Sequence, residues 1–338
     1  CCGECLEGLT DCAGECGGSA TEADEVCQDT VIDCEDCIVV TPGEMTIQSA
    51  IDAAPDGATI IVEKGVYLEN LIIEKPLTLA SRAWFDSDED LASWIIYGGD
   101  SYELNNDNVF ETIIDGSLGD GSVILINSPD DECIEVTVFG FTIQGGTGTT
   151  GTVVIEGEQV EEVFGGGIFS NNAIPTINYN YIKECGLCDD RSAVCAAYGG
   201  GINASGTGVD LGEELGRYSG SRDCSDAQLD FSNNFFNGNY AQYGNSLAAG
   251  NFEGDLDMSN SYFDVYNCQE SSVSSAWVYV EEEVDVEFSG GGGEQCSITS
   301  GTSGTGSLDV YVSPQGHDYD YVIWTCPADG AEYNNEQY

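Results

Sequence analysis

The side chains of this chain that could do chemistry are mostly carboxylates and cysteines, and they come in groups. Asp86, Asp88 and Asp90 alternate along one run, and Asp115 and Asp120 bracket a glycine-containing loop. Alternating carboxylates in a turn are the residue types that wrap calcium, which takes several oxygen ligands at once. Neither run is a complete EF-hand loop, so a solvated acidic loop is the competing reading. A second group lies in the segment 183–226, which holds Asp189, Asp190, Arg191, Arg217, Arg222 and Asp223. Proton abstraction beside a carboxylate needs a cation bridge and a positioned base. The residue types are there, but their spacing alone establishes nothing. The single histidine, His317, is followed by Asp318 and lies near the C-terminus. Asn203-Ala204-Ser205 is the one N-glycosylation sequon, and its place after a glycine corner predicts an exposed Asn203.

Sixteen cysteines are too many for an ordinary cytosolic enzyme. Eight lie from Cys1 to Cys37 and eight from Cys133 to Cys326, even counts that suit a paired set. The expectation is an oxidising compartment, extracellular or cell surface. Residues 1–37 are small and polar, cannot build an apolar core, and call for disulfides through Cys12, Cys16, Cys27, Cys34 and Cys37. Zinc held by Cys34 and Cys37 with Cys1, Cys2 or Cys5 is the alternative, and the extracellular context favours disulfides. Cys185, Cys188, Cys195 and Cys224 predict a stapled loop over 183–226, bridged internally or to the chain beside it. No apolar leader or membrane-spanning run occurs, which suggests mature or excised sequence. Cys1 is then either a lipid-modified terminus or the point of excision.

Seven lysines and arginines stand against 61 aspartates and glutamates, a net charge of −54. Such a surface repels phosphate backbones and anionic membranes, so nucleic acid is excluded as a partner. It also repels itself unless salt, calcium or a cationic partner screens it. Calcium is therefore the one cofactor the composition suggests.

The elements that must carry these groups are short. Ile47, Ala50, Ile51 and Ala54 form an apolar stripe that predicts one helix over 44–57, stopped by Pro55-Asp56-Gly57. Four brief β-rich runs follow: Thr59–Val62, Val66–Leu68, Leu71–Ile73 and Leu77–Leu79. Strands this short with turns this tight suit the sides of a solenoid, each paired with the coil above, with the helix covering the first open edge. Internal repeats support this. Leu229 to Phe236 matches Leu256 to Phe263 at an offset of 27. Ile177 to Ile182 aligns with Phe231 to Phe236 at 54, twice that offset. Phe164-Gly165-Gly166-Gly167-Ile168 recurs at Tyr198 after 34 residues and, more weakly, at Tyr243 after a further 45. Unequal offsets mean loops of unequal length between equivalent strands, which a solenoid tolerates. Asparagines at equivalent corners are expected to stack and bond along the axis.

The runs Thr46-Ile47-Gln48-Ser49-Ala50-Ile51-Asp52-Ala53-Ala54, Gly57 to Val62, Gly65-Val66-Tyr67, Ile114-Asp115-Gly116 and Gly140 to Gly146 resemble the pectin-lyase-like β-helix superfamily. The Gly-Gly-Gly-Ile and Pro175-Thr176-Ile177 pieces resemble its secreted, repeat-containing bacterial members. The resemblance covers about residues 39–268 and implies an all-β, right-handed parallel β-helix. Three parts are expected: a disulfide-rich module (1–37), a parallel β-helix with an N-terminal capping helix (38–270), and a C-terminal β cap or assembly segment (271–338). The superfamily holds lyases, hydrolases, adhesins and stalks, so it does not fix a function. The Gly-His-Gly and Arg-x-Lys of polygalacturonase-like members are both missing here.

The reading that results is a non-catalytic extracellular structural or adhesive surface protein. Its partners are extracellular polysaccharide or copies of itself in head-to-tail fibres, with Tyr311 and Trp324 anchoring the C-terminal strands on the next subunit. A C-terminal cap folded on its own chain is the alternative for that segment. The competing functions are a calcium-dependent polysaccharide lyase or hydrolase and a glycan-binding module using exposed tyrosines.

Overall fold

In the computed structural model the described residues are 37–98, 101–128, 133–155, 158–188, 195–206, 209–212, 224, 228–242, 244–250, 256–258, 261–263, 276–279, 284–288, 306–310 and 321–324. The chain is mainly β and divides into two units, Cys1–Cys37 and Ile38–Tyr338.

The second unit opens with β1 (Ile38–Val40) and helix α1 (Ile47–Ala53). Then β2 (Ala58–Val62), β3 (Gly65–Tyr67) and β4 (Leu71–Ile73) enter three different sheets. The same rotation repeats with β5 (Leu77–Ser81), β8 (Thr112–Asp115) and β9 (Ile124–Asn127). It continues with β10 (Glu135–Phe139), β11 (Thr142–Gln144) and β14 (Ile168–Asn171), and with β15 (Ile174–Asn178), β16 (Tyr181–Lys183) and β17 (Ile202–Ser205). Next come β18 (Leu229–Asp230), β19 (Phe235–Asn237) and β20 (Leu247–Gly250), then β21 (Leu256–Asp257), β22 (Tyr262–Phe263) and β23 (Ala276–Tyr279). Each strand pairs in parallel with its equivalent one circuit on. Among the described residues, two excursions leave the circuits. Between β5 and β8 lie a 3-10 turn (Arg82–Phe85), α2 (Asp88–Ala92), the hairpin β6 (Ile95–Gly98) and β7 (Ser101–Leu104), and α3 (Asp107–Phe110). Between β11 and β14 lies the antiparallel hairpin β12 (Thr149–Ile155) and β13 (Glu158–Phe164).

The sequence repeats are the registers of these sheets. Phe235 faces Tyr262 at the offset of 27, and Tyr181 faces Phe235 at 54. Ile168 faces Ile202 at 34, and Ile202 faces Leu247 at 45. Strand alternation then sends one set of side chains inward. In the first sheet Ile60, Leu79, Val138, Ile177 and Phe231 form a buried column. Burial of each such side chain is worth about 1.5–3 kcal/mol.

The corners need particular residues. The two-residue turn from the first sheet to the second places Gly140, Tyr179 and Asn233 at equivalent sites, all with φ in the left-handed region (81°, 58° and 59°). The next position carries Phe141, Asn180, Asn234 and Ser261 in succession. Asn180 Oδ1 accepts the Phe141 N–H, Asn234 Oδ1 accepts the Asn180 N–H, and Ser261 Oγ accepts the Asn234 N–H. This is the expected asparagine stack, closed by a serine. The turn into the third sheet uses the Gly-Gly-Gly motif because its backbones touch. A Cβ on Gly200 would lie 2.5 Å from the carbonyl oxygens of both Asn245 and Tyr240.

Helix α1 is shorter than the predicted 44–57. Thr46 caps its start by accepting the Ser49 N–H. Ala54 is extended at φ −67°, ψ 140° because Pro55 follows. The helix seals the first circuit through polar contacts: Gln48 bonds both the N–H and the C=O of Ile72, so its amide replaces a strand at the edge of β4. Glu69 accepts the N–H groups of Ile47 and Gln48, and Lys75 donates to the carbonyls of Asp52 and Ala54. At the other end β24 (Val284–Phe288) returns to the first sheet. There β25 (Gly306–Val310) and β26 (Tyr321–Trp324) pair antiparallel with β24 and β23 of the same chain.

Candidate binding face

The polar residues fall into those used internally and those that face out. Among the described residues every lysine and arginine is engaged. Lys64 lies 3.8 Å from Asp107 and 3.4 Å from Glu111. Arg82 Nε donates to Glu63 at 2.9 Å, Lys75 holds the end of α1, and Lys183 sits 5.4 Å over the Tyr181 ring. The first three fasten a helix or an excursion to a circuit.

The outward face of the first sheet is different. Thr59, Thr78, Thr137 and Thr176 are directly opposed from strand to strand, and Asp230 and Asp257 continue the row. Each alternates with a core residue, so the hydroxyls and then the carboxylates stand outward at the strand spacing of about 4.8 Å. All are partly exposed. Beside this row is an aromatic strip. Phe139 extends the outward face, with Trp84 edge-on to it at 5.1 Å and Tyr179 tilted against it, also at 5.1 Å. Tyr179 also meets Trp94 edge-on at 6.0 Å, and Trp94 stacks on Phe110, which leans on Tyr181. The excursion 82–111 is thus fastened to the circuits by rings. Trp84 remains 41% exposed. The Tyr179 hydroxyl has a raised pKa, from burial first and then from the negative charges of Asp88 and Asp230. Asn178 donates to Asp230 at 3.0 Å. Hydroxyls, carboxylates and exposed ring faces can hydrogen-bond and stack against a ligand.

The sequence-predicted sites fare unevenly. Cys188 and Cys195 form a disulfide with Cα atoms 5.1 Å apart. Cys224 bonds to Cys133 across a separation of 91 residues, tying its segment to the chain before β10. Cys185 is not oxidised: it is a buried free thiol whose Sγ faces the Lys183 carbonyl at 3.2 Å. Its position inside a corner, stacked over Asn239, keeps it from any other sulfur, and burial pushes its pKa up to about 12. Asn203 is also corrected. It points out of the third sheet, but it is only 4% exposed and donates to the Ala248 carbonyl at 3.4 Å, so the outward face is covered there.

The proposed calcium ligands do not converge; among the described residues no three acidic, histidine or cysteine side chains could hold a metal together. Asp86 accepts from Asn106 and Asn108, and Asp90 from the Ser87 hydroxyl. Asp88 lies in the first turn of α2. Asp115 accepts the Ser117 N–H and the Gln144 amide, while Asp120 is exposed. Trp324 lies in β26, opposite Ala276 of β23 in its own chain. Cys37 is disulfide-bonded. Cys12, Cys16, Cys27, Cys34, Tyr311, Asp189, Asp190, Arg191, Arg217, Arg222 and Asp223 lie outside the described residues.

Sequence reasoning missed the threonine row, although Thr59 and Thr78 each sit between apolar neighbours. It also missed Cys133 as the partner of Cys224. Among the described residues no helix is long and apolar enough to cross a membrane. No family model matches the chain, and no curated protein matches it.

Proposed function

We propose that the chain is a right-handed parallel β-helix of the pectin-lyase-like kind, acting outside the cell as a non-catalytic structural or adhesive surface protein. Right-handed winding follows from the strong preference of parallel β-crossover-β connections for that hand. The observation that carries the function is where the polar groups go. Buried asparagines bond circuit to circuit, and Lys64 and Arg82 fasten an excursion, so much of the polar chemistry is spent on holding a rod together. Two disulfides in the loops fit an oxidising, extracellular setting. The charge of −54 fits a soluble coat screened by salt or calcium.

A second reading, a glycan-binding module, is favoured by exposed Trp84 beside the threonine row, since aromatic faces stack on apolar ligand faces while hydroxyls bond polar ones. The test is to incubate the purified chain with a panel of polysaccharides and calcium, assay unsaturated and reducing ends, and inspect the protein by electron microscopy. The expected result is no released product, with the protein seen as rods or fibres. Turnover that a chelator abolishes would overturn the proposal in favour of a calcium-dependent lyase or hydrolase. Retention of a glycan without cleavage would favour the second reading.

A further inference from the structure

We infer that the strip formed by Trp84, Phe139 and Tyr179, with Asp88 and Asp230 beside it, docks an arginine-bearing segment of a partner protein. The argument begins with exposure. Trp84 is a large ring left 41% open to solvent next to two further rings, each one 5.1 Å step from the next. An indole face is the strongest of the aromatic cation sites.

Charge supplies the second part. Asp88 is exposed in the first turn of α2, and that helix leads directly into Trp94, whose ring meets Tyr179. Asp230 is partly exposed in the outward row and is oriented by Asn178 and by the Ser232 N–H, leaving acceptor capacity on both oxygens. The tyrosine between them feels both carboxylates. An exposed indole beside a partly exposed phenol, flanked by negative charge, complements a group that is planar, cationic and a donor.

Guanidinium meets all three demands at once, because it stacks on a ring and forks to a carboxylate. A lysine ammonium is a hydrated point charge and does only part of this. The chain itself does not fill the demand from its described residues, since Arg82 is held by Glu63 and Lys64, Lys75 and Lys183 are engaged elsewhere. In the proposed complex an arginine of the partner supplies that cation. This goes beyond the structural role proposed above and does not depend on fibre formation.

The test titrates the full chain with hexa-arginine, hexalysine and an uncharged hexapeptide at physiological salt, read by calorimetry. Hexa-arginine should bind more tightly than hexalysine, and the uncharged peptide should not bind. Trp84→Ala should weaken hexa-arginine about two- to thirtyfold, the range of a cation–π contact. Asp88→Asn should weaken it about two- to fivefold, as for one exposed ion pair. Glu44→Gln removes the same charge at an exposed turn before α1 and should leave affinity unchanged. The inference is overturned if all three variants weaken binding equally, which marks a diffuse field, or if hexalysine binds as well as hexa-arginine. It is equally overturned if no peptide binds, if a neutral oligosaccharide is the ligand lost with Trp84, or if the strip instead mediates self-association sensitive to Trp84→Ala.

Discussion

Replacing Asn234 by alanine should be among the most damaging single changes in the chain, although the side chain touches no ligand and carries no charge. Asn234 is fully buried at the corner between the first and second sheets. Its Oδ1 accepts the Asn180 N–H at 3.0 Å, and its Nδ2 donates to the carbonyls of Ile177 and Phe231. Alanine orphans the Asn180 N–H and withdraws a donor from the Ile177 carbonyl; the Phe231 carbonyl keeps the Ser261 hydroxyl. Each buried group left unsatisfied costs about 1–3 kcal/mol, so the loss from the two should be about 2–6 kcal/mol. Asn234→Ser should cost roughly half as much, because Ser261 performs the same task one circuit on. Asn105→Ala, at an exposed site bonding the Ser93 carbonyl, should stay within about 0.5 kcal/mol of the parent. Guanidinium unfolding with disulfides intact, followed by circular dichroism, measures all three. If Asn234→Ala were no worse than Asn105→Ala, the stack would not hold the circuits together and the structural role given to the buried polar groups would fail.

Other expectations follow from single residues. Gly200→Ala drives a Cβ into two backbone oxygens and should abolish native folding, whereas Gly57→Ala, in open space at φ 77°, should cost only about 1 kcal/mol by thermal unfolding. Cys185 should resist iodoacetamide at neutral pH in the native protein and alkylate once it is unfolded, because burial holds its pKa near about 12; labelling of the native chain detected by peptide mass spectrometry would contradict its placement. Tyr67, whose hydroxyl donates to the Glu63 carbonyl, has its pKa raised from 10.0 to about 12 by burial and then by Glu63 and Glu69. The folded chain holds that proton more tightly than the unfolded one, so its stability contribution is intact below pH 10 and is lost as pH rises towards 12. Tyr67→Phe should flatten that fall in alkaline melts.

The parts of the fold that could be read from sequence are those repeated from circuit to circuit. A residue stacked on its own equivalent must meet the same constraint in each copy, so Phe235 resembles Tyr262 and Ile168 resembles Ile202, and the offset between them is the register. Corners were legible for the same reason, since Gly165, Gly199 and Gly244 all take a left-handed φ. What occurs once leaves no such trace. The Cys133–Cys224 bond spans 91 residues and is set by which loops emerge side by side after stacking, a distance that no local pattern encodes. The even count of cysteines suggested complete pairing, but Cys185 occupies a corner site where its equivalent, Asn239, bonds its N–H, and there a small buried side chain serves packing.

Asn203 shows how far alternation reaches and where it stops. It lies between Ile202 and Ala204, which both enter the core, so the strand period turns it outward. Its place after a glycine corner predicts exposure, but an outward side chain is exposed only on a bare sheet. The third sheet is not bare: Leu125, Phe169 and Val209 form a second buried cluster on that side, with Val153 of β12 packed against it. The first sheet instead leaves its outward threonines partly open and its neighbouring tryptophan exposed. The excursions therefore decide which outward face becomes a second core and which stays open. Because each is inserted once, between β5 and β8 or between β11 and β14, the repeat that reveals the stacked circuits is silent about which outward face stays open.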